Sequence, residues 1–167
     1  MNIFVLDLDP RRAAEYHCDK HVVKMILETA QLLYCAHWVL QPDSIPPGAY
    51  KKTHVNHPCA IWVRESRENY AWLCALGWWL CKEYTFRYDK THKTEAHIVW
   101  LLSTVPTSLS SAGLTPIRMA MPEECKDKNP VHAYRMYYLK SKRALLMYKR
   151  RSMPAFLMCE ESKVDVE

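Results

Sequence analysis

The chain opens with Asn2–Ile3–Phe4–Val5–Leu6, a short apolar and partly β-branched run that fits either a short strand or an extended lead-in. Asp9 and Pro10 follow as a cap and a first-turn proline, and together they predict a helix over residues 11–39. Residues 41–50 hold three prolines and a glycine and read as a loop. A second helix is predicted to start at Pro58, with Asn56 or His57 near its cap, and to continue to about residue 88, loosened at Gly77. A shorter helical pattern covers 95–103. The stretch 104–130, with four prolines and a serine-rich patch, reads as a long irregular crossing over the surface. A final helix is predicted over 131–151. No internal repeat or break in composition divides the chain, so all 167 residues are expected in one compact, mainly α domain.

The first long helix carries an unusual pattern. At about 100° per residue, Cys18, Val22, Met25, Ile26, Thr29, Leu32, Leu33 and Ala36 share one arc, the expected core face. The neighbouring arc of Val23, Leu27, Ala30 and Tyr34 is also mostly apolar. His17, Lys20, His21, Lys24, Glu28 and Gln31 are left in a stripe of roughly 100°. A helix so nearly engulfed turns its polar seam either toward a cleft or into a well-paired interior.

Composition sharpens this picture. Six tryptophans and ten tyrosines against three glycines imply an interior packed with large rings. Seven cysteines, an odd number with no C-x-x-C pair, behave as small core hydrophobes and suit a reducing, cytoplasmic setting. The apolar run 70–81, unbroken by any polar side chain other than its own first tyrosine, has twelve residues, too few for a bilayer span of about twenty. The net charge of +5 is unevenly spread: residues 130–151 hold seven Lys or Arg and no acid, and acids gather in the tail at 160–167. In that basic stretch Tyr134, Tyr137, Tyr138 and Tyr148 alternate with Arg135, Lys140, Lys142, Arg143, Lys149, Arg150 and Arg151. Such a stretch is either a solvated face or a surface for a polyanion, with rings able to stack on bases.

The seam supplies the candidate chemistry. In a cleft, Lys20 and Lys24 offer amines one turn apart, and Glu28 one turn further on can accept a proton. The alternative is that Lys24 and Glu28 form an ordinary i,i+4 pair. His17 and His21 also stand at i,i+4, and His54 with His57 would complete a four-ligand metal set, although Lys20 and Lys24 would repel a cation there. Asn56–His57–Pro58 precedes a helix, where it serves as a cap or as part of an anion site.

Met1–Asn2–Ile3–Phe4, then Asp19–Lys20–His21–Val22–Val23–Lys24 with Glu28 and Gln31, then Asn56–His57–Pro58 with Trp62, Glu83 and Tyr84, resemble in order and spacing a bacterial and viral branch of the pyrimidine-dimer DNA glycosylases of the endonuclease V type. The resemblance covers residues 1–88. It implies an all-helical fold that flips a damaged nucleotide, cuts the glycosidic bond and nicks at the abasic site, with an N-terminal α-amine attacking the sugar and a glutamate of the first helix assisting. Here the amine would belong to Met1, because Asn2 is too bulky to favour removal of the methionine. His21 stands where the best-known members carry their acid, so the carboxylate would come from Glu28.

The expectation is therefore a DNA glycosylase with abasic-site lyase action and no cofactor. Met1, Lys20 or Lys24 supplies the amine, and Glu28 manages protons. His21, Asn56 and His57 position the nucleotide or a phosphate, and Arg143, Lys149, Arg150 and Arg151 hold the DNA backbone. Two rivals remain at this point: a nucleic-acid-binding protein without catalysis, and a metal-dependent hydrolase built on His17, His21, His54 and His57.

Overall fold

The computed structural model describes residues 1–158, so the acidic tail 160–167 lies outside the described residues. Seven α-helices follow one another: α1 (Pro10–Tyr16), α2 (Asp19–Leu40), α3 (Pro58–Val63), α4 (Arg67–Tyr88), α5 (Glu95–Ser103), α6 (Pro130–Ser141) and α7 (Ala155–Met158). Single 3-10 turns lie at Pro42–Ser44, Glu123–Cys125 and Arg143–Leu145. No strand occurs among the described residues. The two long helices, α2 and α4, pack on each other, with α1 and α5 also against α4. One core cluster runs from the N-terminal segment to Leu157.

The predicted starts hold for physical reasons. Asp9 accepts the Arg11 N–H at 2.9 Å ahead of Pro10, and Asn129 accepts from Val131 and His132 ahead of Pro130. The helix expected over 11–39, however, is broken at His17 and Cys18, both extended. The apolar period continues through the break, but the orphan carbonyls there are taken by a distant side chain. Arg87 of α4, fully buried, donates to His17 O at 2.8 Å and to Glu15 O at 3.0 Å, and binds Asp19 at 3.0 Å. Tyr148 donates its hydroxyl to Tyr16 O at 2.7 Å.

The helix expected over 58–88 is likewise two. Ser66 caps α4 by accepting the Asn69 N–H at 3.1 Å, which ends α3 before it. Gly77 does not loosen α4; it lets three helices approach. A Cβ there would stand 2.9 Å from Thr29 Cγ2 and 3.0 Å from Ile98 Cδ1. The helix expected over 131–151 is α6, which stops at Ser141, ten residues short of the expected end, and Arg150 adopts a left-handed φ of 59°.

The N-terminal run takes the extended alternative. Val5 and Leu6 are fully buried, and side chains replace a strand ladder: Arg135 donates to Leu6 O at 2.9 Å and Trp72 to Leu8 O at 2.8 Å. The predicted core face of α2 is buried throughout. On its second arc Ala30 and Tyr34 are buried as well, whereas Val23 is exposed. No described helix is long and apolar enough to cross a membrane.

Candidate active site

The break after α1 lets α2 start afresh and run its polar seam beneath the N-terminal segment. Glu28 sits mid-helix with its side chain only 11% exposed. Its Oε2 accepts the Asn2 N–H at 3.2 Å and faces the Met1 α-amine at 3.8 Å, while Oε1 meets Lys24 Nζ at 3.4 Å. One carboxylate thus stands between two amines of different character. Lys24 is 68% exposed at the rim, whereas the α-amine is held against the body of the protein by the buried residues that follow it.

A cleft of about 150 Å³ opens beside this cluster. Met1, Asn2 and Phe4 form one wall and His21, Lys24, Met25 and Glu28 of α2 the next. Tyr137 of α6 and Lys142 just past its end close the third side. Phe4 lies near-parallel to two rings, His21 with centroids 4.4 Å apart and Tyr137 at 6.0 Å, and Lys142 Nζ sits 5.0 Å from the centre of the Tyr137 ring. Three ammonium groups and one carboxylate give the cleft a positive balance suited to a sugar–phosphate chain.

His21 adds no charge. Burial pushes its pKa down to about 3, with His17, Lys142 and Lys24 pressing the same way, so at neutral pH it is an uncharged ring that shares a 2.6 Å hydrogen bond with Tyr138. His57 accepts the Cys59 N–H at 3.1 Å as the cap of α3. Its pKa is lowered mainly by burial and then by the α-amine, against an opposing pull from Glu28, which puts it within electrostatic reach of the site.

Residues 1–96 match the sequence profile of the pyrimidine dimer DNA glycosylase family, more than half of the 167. The chain belongs to that family. No curated protein and no solved structure gives a significant match. The part that matches the pyrimidine dimer glycosylases takes in Met1, Lys24, Glu28 and His57, and leaves out Tyr137 and Lys142.

Of the residues expected at a glycosylase site, Met1, His21, Lys24 and Glu28 line one cleft. Lys20 is exposed and does not line it, and Asn56 is exposed before α3. Arg143 lies exposed in the turn after α6. Lys149 packs its ammonium 5.3 Å over Tyr88 while its N–H binds Asp19 at 2.9 Å. Arg150 is held by Asp89 at 2.7 Å, and Arg151 makes a two-pronged pair with Glu83 at 2.8 and 3.0 Å. The latter two arginines are occupied by carboxylates, and Glu83 is a structural acid that also takes Arg87 at 2.9 Å. Asp19, the partner of Lys149, opens α2 nine residues before Glu28, about 14 Å along the helix axis.

The four histidines do not gather as a metal set. His17 is fully buried and donates from Nδ1 to Ala13 O at 2.6 Å, and among the described residues no three His, Cys, Asp or Glu side chains converge as ligands. Sequence reasoning gave no site role to Asn2 or Phe4 and named Tyr137 and Lys142 only as part of the basic C-terminal stretch. Tyr137 and Lys142 carried a signal, the alternation of rings and cations in the C-terminal stretch, but nothing in it marked which pair would reach α2.

Proposed function

We propose that this chain is a DNA glycosylase with abasic-site lyase action on pyrimidine dimers, and that the Met1 α-amine is its nucleophile. The observation that carries the reading is that amine, 3.8 Å from a nearly buried Glu28 at the wall of a positively charged cleft. The cleft sits at the surface, so the target nucleotide must leave the stack to reach it. Lys24 and Lys142, at the rim, suit the flanking phosphates.

After the Met1 ammonium gives up a proton to solvent, the amine donates its lone pair to the anomeric carbon, and the bond from that carbon to the base nitrogen breaks. The base leaves with the electron pair and takes up a proton from solvent. Glu28 receives the proton shed by the new C–N bond and passes it to the ring oxygen as the sugar ring opens, which leaves an iminium joining Met1 to the deoxyribose. From that iminium, loss of a proton from the adjacent sugar carbon expels the 3′ phosphate, which is the lyase step. His21, uncharged and stacked on Phe4, forms a wall that does not repel the developing positive charge.

Lys24 is the second amine within reach of Glu28, at 3.4 Å, so the test must separate the two. Borohydride is added to the protein with duplex carrying a pyrimidine dimer or an abasic site, and the trapped peptide is mapped. Attachment at Met1, and its loss when two residues are fused ahead of Met1, supports the reading. Attachment at Lys24 reassigns the nucleophile, and no covalent product with either duplex overturns the mechanism.

A further inference from the structure

A nucleophile at the end of a chain has free rotation about its own bonds, so something must aim it. We infer that Asn2 aims the Met1 amine, and that it does so because its side chain is clamped to the C-terminal third of the chain. The inference rests on Met1 being the nucleophile. Asn2 uses nearly every hydrogen-bonding group it has. Its backbone N–H goes to Glu28, at 3.2 Å. Its Oδ1 accepts from Ile3 N–H at 2.8 Å and from the Tyr134 hydroxyl at 3.0 Å, with the Cys59 thiol at 3.9 Å as a weaker donor. Its Nδ2 donates to Ala120 O at 2.8 Å. Donors surround one end of the amide and a carbonyl the other, which fixes its orientation.

The far side of the clamp is equally held. Tyr134 is fully buried in α6, and burial raises its phenol well above the usual range, so it stays a hydroxyl. That hydroxyl also accepts the Ala120 N–H at 3.3 Å and lies 3.2 Å from Arg118 O. Two points therefore fix the peptide next to the amine: Glu28 from below, and the 118–120 segment with α6 from the side. Residues 118–120 and Tyr134 lie beyond the family-matched 1–96, so the part of the chain without family likeness positions the reacting group of the part with it. Asn2 and Tyr134 are positioning residues; neither needs to touch DNA.

The experiment uses the full chain with Asn2→Leu, Asn2→Asp or Tyr134→Phe, all of which keep a bulky second residue and hence Met1. Single-turnover borohydride trapping on abasic duplex gives the rate at saturation and the half-saturating concentration. A melting curve gives the folded fraction at the assay temperature. Misplacing a reacting group by about 1 Å costs on the order of 100-fold. Asn2→Leu should thus lose roughly 10- to 100-fold in saturated rate with half-saturation within about twofold. Asn2→Asp keeps the acceptor but loses the donor to Ala120 O, and with Tyr134→Phe should fall between. The clamp is overturned if Asn2→Leu matches the parent at saturation once corrected for folded fraction, or if rate and affinity fall together. Should the parent be trapped somewhere other than Met1, the nucleophile assignment and the clamp fall together; trapping at Met1 with an unimpaired Asn2→Leu sinks the clamp alone.

Discussion

Replacing Glu28 by Gln separates chemistry from architecture more cleanly than any other single change. Gln keeps the length and the acceptor for the Asn2 N–H at 3.2 Å, so the N-terminal segment stays in place. What disappears is the charge facing the α-amine at 3.8 Å and Lys24 at 3.4 Å. Lys24 is 68% exposed, so its pair is largely screened, and the loss of stability should stay at about 1 kcal/mol or less. For a domain of this size that is a fall of roughly 2–4 °C in Tm. The chemical loss is larger. A positioned proton acceptor is worth about 10²- to 10⁴-fold, or roughly 3–5 kcal/mol in the barrier. DNA binding should hold or tighten, because a negative charge leaves a cleft that faces a polyanion. Single-turnover nicking of a pyrimidine-dimer duplex with borohydride trapping, a melting curve and a salt-titrated binding curve measure the three effects. A variant trapped at the parent rate would refute the role of Glu28, and so would a rate loss matched by an equal loss of affinity.

Lys142→Ala should weaken binding to abasic duplex by roughly tenfold and reduce the salt slope by about 1, with little change in saturated rate; a binding titration at several salt concentrations reads it. Gly77→Ala forces a methyl to within 2.9 Å of Thr29 and 3.0 Å of Ile98, and should cost about 1–3 kcal/mol in a denaturant melt, whereas propensity alone would predict a gain. His17 and His37 are held near pKa 4 and His21 near 3, chiefly by burial. Their folded values lie below the unfolded 6.5, so the unfolded chain binds more protons as pH drops. The stability they permit is complete above about pH 6.5 and is lost progressively as pH falls toward 4. Melts between pH 7 and 4.5 should show up to about three protons taken up on unfolding near pH 5, and a flat Tm across that window would contradict the burial of these rings.

The sequence made the helices legible wherever the deciding groups were local. Asp9 with Pro10, and the apolar face of α2 from Val22 to Ala36, act over a few residues, and they were read correctly. The break at His17 and Cys18 was not legible, because the period runs on through it and its cause, Arg87, is 70 residues away from His17. The same limit governed the charges. Lys24 and Glu28, one turn apart, turned out to be both an ion pair and part of a cleft, so the two readings of that spacing did not exclude each other. Arg150 and Arg151 looked free in a stretch without acids, but Asp89, Glu83 and Glu15 reach them from other elements. A run of sequence shows how many cations it holds and not which of them are already spent.

Residues 1–4 are synthesised before residues 118–142, yet the cleft beside Met1 and the clamp on Asn2 are built from both. On the proposed mechanism, the amine is aimed only once α6 and the 118–120 segment have docked on the N-terminal residues, so the order of assembly and the onset of reactivity are the same event.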